Sequence, residues 1–94
     1  PHVHQFLFVG NEYGRKGLSL LLDALALLPK KSFQLSVIGR ERKTSAFIEK
    51  AKRLGLEEQV KFIGGVSEMK PYYSAADTLV IPSFYDPFAN VTVE

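Results

Sequence analysis

The sequence predicts an α/β protein built on a parallel, doubly wound sheet of the Rossmann-like kind. Apolar runs of strand length alternate strictly with segments of helical period, giving four βα units in order. Glycine or proline follows each strand run, at Gly10, Gly39, Gly64 and Pro82. A chain leaving the carboxyl end of a parallel strand must turn there toward its next helix. At 94 residues the chain is long enough for one small domain.

Gln5 to Val9 reads as the first strand, apolar after its first residue, as a strand covered on both faces should be. Leu18, Leu21, Leu22, Leu25 and Leu28 then recur at helical spacing, and Pro29 closes that helix. The second strand, Phe33 to Ile38, ends at Gly39. A second helix from about Thr44 to Leu54 turns Phe47, Ile48, Ala51 and Leu54 inward, with Gly55 as its left-handed cap. Val60 to Ile63 is the third strand, and Gly64-Gly65 forms a loop that a ligand can approach closely. Ser67 is the expected cap of a short third helix, confined or restarted by Pro71. The fourth strand runs from Thr78 to Ile81, and Asn90 to Glu94 opens a fourth helix. A chain ending in a helix's first turn is expected to be a piece of a longer protein.

Composition narrows the function classes. No apolar run reaches the roughly 18 residues that span a bilayer. Without cysteine, disulfides and thiolate metal sites are excluded. A net charge of +2 is too small to argue for nucleic acid. Arg40, Arg42, Lys43, Lys50, Lys52 and Arg53 crowd one segment, which reads as a solvated helix face, with contact to anionic membrane as the alternative. His2 and His4 stand two apart without a third ligand in view, and are read as surface residues rather than a metal pair.

In doubly wound sheets, ligands collect outside the carboxyl ends of the strands, where strand order reverses. Gly10 to Lys16, Gly39 to Lys43, Gly64 to Ser67 and Pro82 to Asn90 all follow strands and so are expected on one rim. Arg15 and Lys16, between Gly14 and Gly17, put two cations at a helix N-terminus, where they oppose the macrodipole unless an anion offsets them. A diphosphate is the natural partner, because arginine offers a planar fork and lysine a point charge. Asp86 and Glu94 bracket the loop after the fourth strand. A carboxylate there accepts hydrogen bonds from sugar hydroxyls, and free amides at the following helix start attract phosphate. Sugar phosphates and nucleotide sugars satisfy both demands.

These residues carry a family resemblance. Asp86-Pro87-Phe88-Ala89 with Glu94, after Val80-Ile81-Pro82-Ser83, resembles the paired-acid segment of retaining glycosyltransferases of family 4, which have the GT-B fold. Phe8-Val9-Gly10 with Gly14-Arg15-Lys16-Gly17 resembles that family's phosphate-binding loop, most closely in its lipopolysaccharide-core glucosyltransferase branch. Val60 to Gly64 with Val66 resembles its nucleobase strand, and Tyr73 to Asp77 the approach to its last strand. Two positions depart from the pattern: Asp86 stands where the family usually has glutamate, and Ala89 where glycine is common.

The resemblance implies that residues 1–94 are part of a C-terminal, nucleotide-sugar-binding domain, inactive alone, with the acceptor site in a domain outside this sequence. Asp86 would hold donor-sugar hydroxyls near the anomeric centre. Backbone amides around Ala89, Asn90 and Val91 would meet sugar or phosphate, and Glu94 the ribose diol. The Val66 backbone would address the base, and Gly39-Arg40 either lie against the nucleotide or merely end a strand. Arg15, Lys16 and Asp86 are the expected catalytic residues, acting by positioning and charge stabilisation without cofactor or metal. The implied donor is a UDP-sugar, the implied acceptor a glycan or a lipid-linked glycan, and the implied location cytoplasmic, at most peripheral to the membrane. A degenerate, non-catalytic nucleotide-sugar-binding member is the alternative. A dinucleotide-binding oxidoreductase fits less well, because Gly10, Gly14 and Gly17 do not form G-x-G-x-x-G.

Overall fold

The computed structural model describes residues 3–11 and 17–81. Four parallel strands, β1 (His4–Val9), β2 (Phe33–Ile38), β3 (Val60–Gly64) and β4 (Thr78–Val80), form one sheet in the order β3-β2-β1-β4. Between them run α1 (Gly17–Leu25), α2 (Thr44–Arg53) and α3 (Lys70–Ala75). The chain builds outward from β1 through β2 to β3, then crosses back to place β4 on the other side of β1. Strand order therefore reverses between β1 and β4, as a doubly wound sheet requires.

The pleat assigns the two faces. On β2, Phe33, Leu35 and Val37 are buried while Gln34 is exposed and Ser36 half-buried. The buried set joins Phe8 of β1 and Val60 of β3 in one core with Leu18, Leu22 and Leu25 of α1, Ala51 of α2, and Leu56. On the opposite face Leu7 is buried, and α3 lays Tyr72 and Ala75 beside Gln5, Leu7 and Ser36 around a small cleft of about 40 Å³. Helices on both faces explain why β1 is apolar from Phe6 to Val9.

Asp77 fixes the start of β4 on the central strand: its amide donates to the Gln5 carbonyl (2.8 Å), and its carboxylate accepts the Gln5 amide (2.8 Å). His4 adds a bond of 2.7 Å between its Nε2 and Thr78 Oγ1, and its ring lies 4.6 Å from that of Phe6. The histidine thus has an interstrand role. His2 lies outside the described residues.

Helix ends follow local chemistry, with two departures from expectation. α1 stops at Leu25 rather than continuing to Leu28. Its last turn tightens into bonds from Leu27 N–H to the Ala24 carbonyl (3.1 Å) and from Leu28 N–H to the Leu25 carbonyl (3.0 Å). Pro29 disfavours helical geometry at the residue before it, so the chain leaves the helix early and Leu28 is exposed. Nor does Ser67 cap α3: the cap position is Met69, without a side-chain bond. Pro71 instead sits in the first turn, where its missing N–H removes no helical hydrogen bond.

The end of α2 is as expected. Gly55 has φ +74°; its amide donates to the Lys52 carbonyl (3.0 Å), and Leu56 N–H to the Ala51 carbonyl (2.8 Å). That bond pair is the Schellman pattern, closed by the buried contact of Leu56 with the core. Lys50 bolts α2 to α1 through the Ser19 carbonyl (3.1 Å), Ser19 Oγ (2.5 Å) and Asp23 (3.1 Å). Part of the basic segment is therefore engaged inside the fold. Among the described residues no helix is long and apolar enough to cross a membrane.

Candidate functional site

The carboxyl ends of β1, β2 and β3 are locked together by their own backbones. Gly10 N–H donates to the Ile38 carbonyl (3.0 Å), and Gly39 N–H to the Gly64 carbonyl (3.0 Å). The pairing of β2 with β3 carries a bulge: Val37 faces Phe62, but Ile38 faces Gly64. Ile63 is the extra residue of this irregularity, a device common beside binding sites.

Gly39 has φ +151°, and a Cβ there would overlap the Gly10 carbonyl oxygen. Only glycine allows the β1 and β2 loops to approach this closely. The next residue is fixed as well, because Arg40 N–H donates to Asn11 Oδ1 at 3.1 Å. Asn11 was not singled out by sequence reasoning. Asparagine after a strand-end glycine commonly bonds a nearby backbone, but its partner here lies 29 residues away, a pairing that only the folded sheet creates.

This rim surrounds a cavity of about 340 Å³ with Gly10, Gly39 and Val66 on its wall, so three of the expected binding residues are brought together. Val9, Ile38, Val66 and Met69 supply apolar surface; Asn11 and Arg40 are its polar side chains. A second cavity of about 310 Å³ adjoins it and shares Gly39, Arg40 and Gly65, with Thr44 and Phe62 farther along. Met69, like Asn11, was not expected. Its position follows from the loop after β3, whose path has no periodicity to read.

Apolar walls, glycine backbone and a single cationic side chain suit a flat, partly polar ring. The described lining offers binding groups and no carboxylate in the larger cavity. Gly14, Arg15 and Lys16, expected at the diphosphate, lie outside the described residues. So do Asp86, Pro87, Phe88, Ala89, Asn90, Val91 and Glu94, expected at the sugar and ribose. Among the described residues no group of three histidines or carboxylates could hold a metal ion.

Comparison with known proteins bears on this geometry. The family described as glycosyl transferases group 1 matches residues 3–94. The chain is similar to the lipopolysaccharide glucosyltransferase WaaG of Escherichia coli, 33% identical over 91 residues, covering 94% of this chain and 24% of that protein. An uncharacterized glycosyltransferase of Methanocaldococcus jannaschii is likewise 33% identical over 91 residues, covering 94% of this chain and 23% of the relative. Mannosylfructose-phosphate synthase of Agrobacterium fabrum is 34% identical over 100 residues, covering 94% of this chain and 22% of the relative. The chain thus spans about a quarter of the length of these curated relatives. With a match that runs through all four strands and the glycine rim that joins them, this chain belongs to the group 1 glycosyltransferases.

Proposed function

We propose that the chain is the donor-binding part of a retaining GT-B glycosyltransferase that transfers a hexose from a UDP-sugar to a glycan or lipopolysaccharide-type acceptor. The observation that carries this reading is the cavity where Gly10, Gly39 and Val66 converge, beside the point where strand order reverses, in a chain of this family. A base enters the apolar cavity, and its diphosphate extends toward the loop that follows Gly10. There Arg15 and Lys16 hold phosphate oxygens and stabilise the charge that develops on the leaving group, the work a divalent ion does elsewhere. Asp86 accepts hydrogen bonds from donor-sugar hydroxyls, with Pro87 and Phe88 shaping its loop. Amides of Ala89, Asn90 and Val91 meet sugar or phosphate, and Glu94 takes the ribose diol.

The acceptor is bound by a second domain, and the protein works in the cytoplasm, at most touching the membrane surface through basic residues of the β2–α2 segment and α2. Similarity to a lipopolysaccharide glucosyltransferase supports the glucose and lipopolysaccharide parts of this reading. A screen of nucleotide sugars against the full-length protein, scored for transfer and for anomeric configuration of the product, tests it. Transfer from a UDP-hexose with retention is the expected result. Binding without transfer from any donor would support the non-catalytic alternative, to which the aspartate at position 86 points.

A further inference from the structure

Two successive peptide units at the end of β2 are held in different ways. The unit joining Ile38 to Gly39 is bonded at both ends by main chain: its carbonyl accepts the Gly10 amide and its amide donates to the Gly64 carbonyl, each at 3.0 Å. The next unit, joining Gly39 to Arg40, relies on a side chain. Its amide donates to Asn11 Oδ1 at 3.1 Å, and its carbonyl accepts no hydrogen bond among the described residues. In a trans peptide the carbonyl points opposite to the N–H, so the bond to Asn11 also directs the Gly39 oxygen to the side away from that residue. Gly39 is buried and lies on the wall of both cavities. Without a Cβ at position 39, little steric resistance keeps this unit from turning once its one bond is lost.

We infer that Asn11 is a positioning residue of the nucleotide site: by holding the peptide between Gly39 and Arg40 in one orientation, it presents the Gly39 carbonyl as an acceptor for an N–H or O–H group of the nucleoside. This inference rests on the nucleotide-sugar reading above. Asn11 acts through the peptide and not on the ligand, because its acceptor oxygen is already engaged by the Arg40 amide. A turned peptide loses the acceptor that the nucleoside uses. The diphosphate, which that reading sets beyond Gly10, does not depend on this peptide.

Calorimetric titration of the full-length protein tests the assignment, with UDP, GDP and ADP to find the tightest nucleotide, then with its nucleoside and inorganic pyrophosphate. Asn11→Leu keeps the size of the side chain and removes its acceptor. It should weaken nucleoside and nucleoside diphosphate by the same factor, about three- to tenfold, the range of one net hydrogen bond. Pyrophosphate affinity should not change, which also reports that the variant is folded. Asn11→Asp keeps an oxygen for the Arg40 amide but loses the donor group of the asparagine, and it should bind the nucleoside as the wild type does. The neutral nucleoside is the probe for that variant, since a new carboxylate repels a diphosphate. Equal nucleoside losses in the two variants would overturn the assignment, because Asn11 would then touch the ligand through Nδ2. Unchanged nucleoside affinity in Asn11→Leu, or a loss for pyrophosphate as large as that for the nucleoside, would overturn it too. A wild type that binds none of the nucleotides would remove the nucleotide-sugar reading, and this inference with it.

Discussion

At the scale of single residues, the rim depends on glycines whose roles differ. Gly64 needs glycine for its backbone alone, since φ is +89° and a Cβ would meet no atom within 4 Å. Gly39 needs it for both backbone and space, because its Cβ would strike the Gly10 carbonyl, a main-chain atom that cannot swing aside. Gly39→Ala should therefore cost more than the ~1–3 kcal/mol of an unfavourable backbone conformation. It should also weaken nucleotide binding, since relief of the clash opens the β1–β2 junction. Urea denaturation of the full-length variant, together with UDP titration, measures both; unchanged stability would mean that the two loops are not pressed together. The side chain of Asn11 acts at the same scale, using one carbonyl oxygen to hold the Arg40 amide.

At the scale of elements, what could be read from the sequence and what could not divide along physical lines. Strand positions were legible because short, largely apolar runs of four to six residues ending at glycine or proline have few alternatives. Phe33 to Ile38 has the expected bounds, and the others differ by a residue at one end. The Gly55 cap was legible because its chemistry is local. Gly55→Ala should cost about 1–2 kcal/mol, the penalty of a left-handed backbone for an L residue, with Lys30 moving aside at little expense because only its flexible end is near. Thermal or urea unfolding of the full-length variant checks the loss, and no loss would mean that the cap is dispensable.

Helix ends near prolines were less legible, since Pro29 and Pro71 each allow more than one local solution. The five leucines of the first helical pattern show the consequence. Leu18, Leu22 and Leu25 are buried, Leu21 is half-buried, and Leu28, beyond the early stop, is 40% exposed. Leu22→Ala should thus cost about 2–5 kcal/mol, as for a leucine deleted from a core, and Leu28→Ala well under half of that. Chemical denaturation of both variants decides; equal losses would show that the helix carries its pattern through to Leu28. The bulge at Ile63 and the reach of Asn11 were not legible, because both are properties of strand pairing between distant segments. The acids and cations expected after β4 and β1 were read from motif chemistry, and their placement lies outside the described residues.

At the scale of the whole molecule, strand order gives the segments that lead to the two outlying motifs adjacent starting points. β1 and β4 are direct neighbours, with Phe8 beside Val80, so the segments leaving Gly10 and Ile81 start from adjacent points on the rim. The first segment leads to Arg15 and Lys16, the second to Asp86 and Glu94. If one ligand spans both, variants in the two segments must fail differently. Arg15→Ala or Lys16→Ala should weaken nucleoside diphosphate binding by about 1.5–3 kcal/mol, the range for hydrogen bonds to a charged group, and leave the nucleoside almost unaffected. Asp86→Asn should leave diphosphate affinity nearly intact and cut turnover strongly, because a donor-sugar contact matters once the sugar is transferred. Asp86→Glu should be tolerated, since it restores the family's commoner acid at the same position. Calorimetry and steady-state kinetics on the full-length protein separate the cases. Equal losses for nucleoside and diphosphate in the Arg15 and Lys16 variants would take those cations off the phosphates, and undiminished turnover in Asp86→Asn would take the acid out of the site.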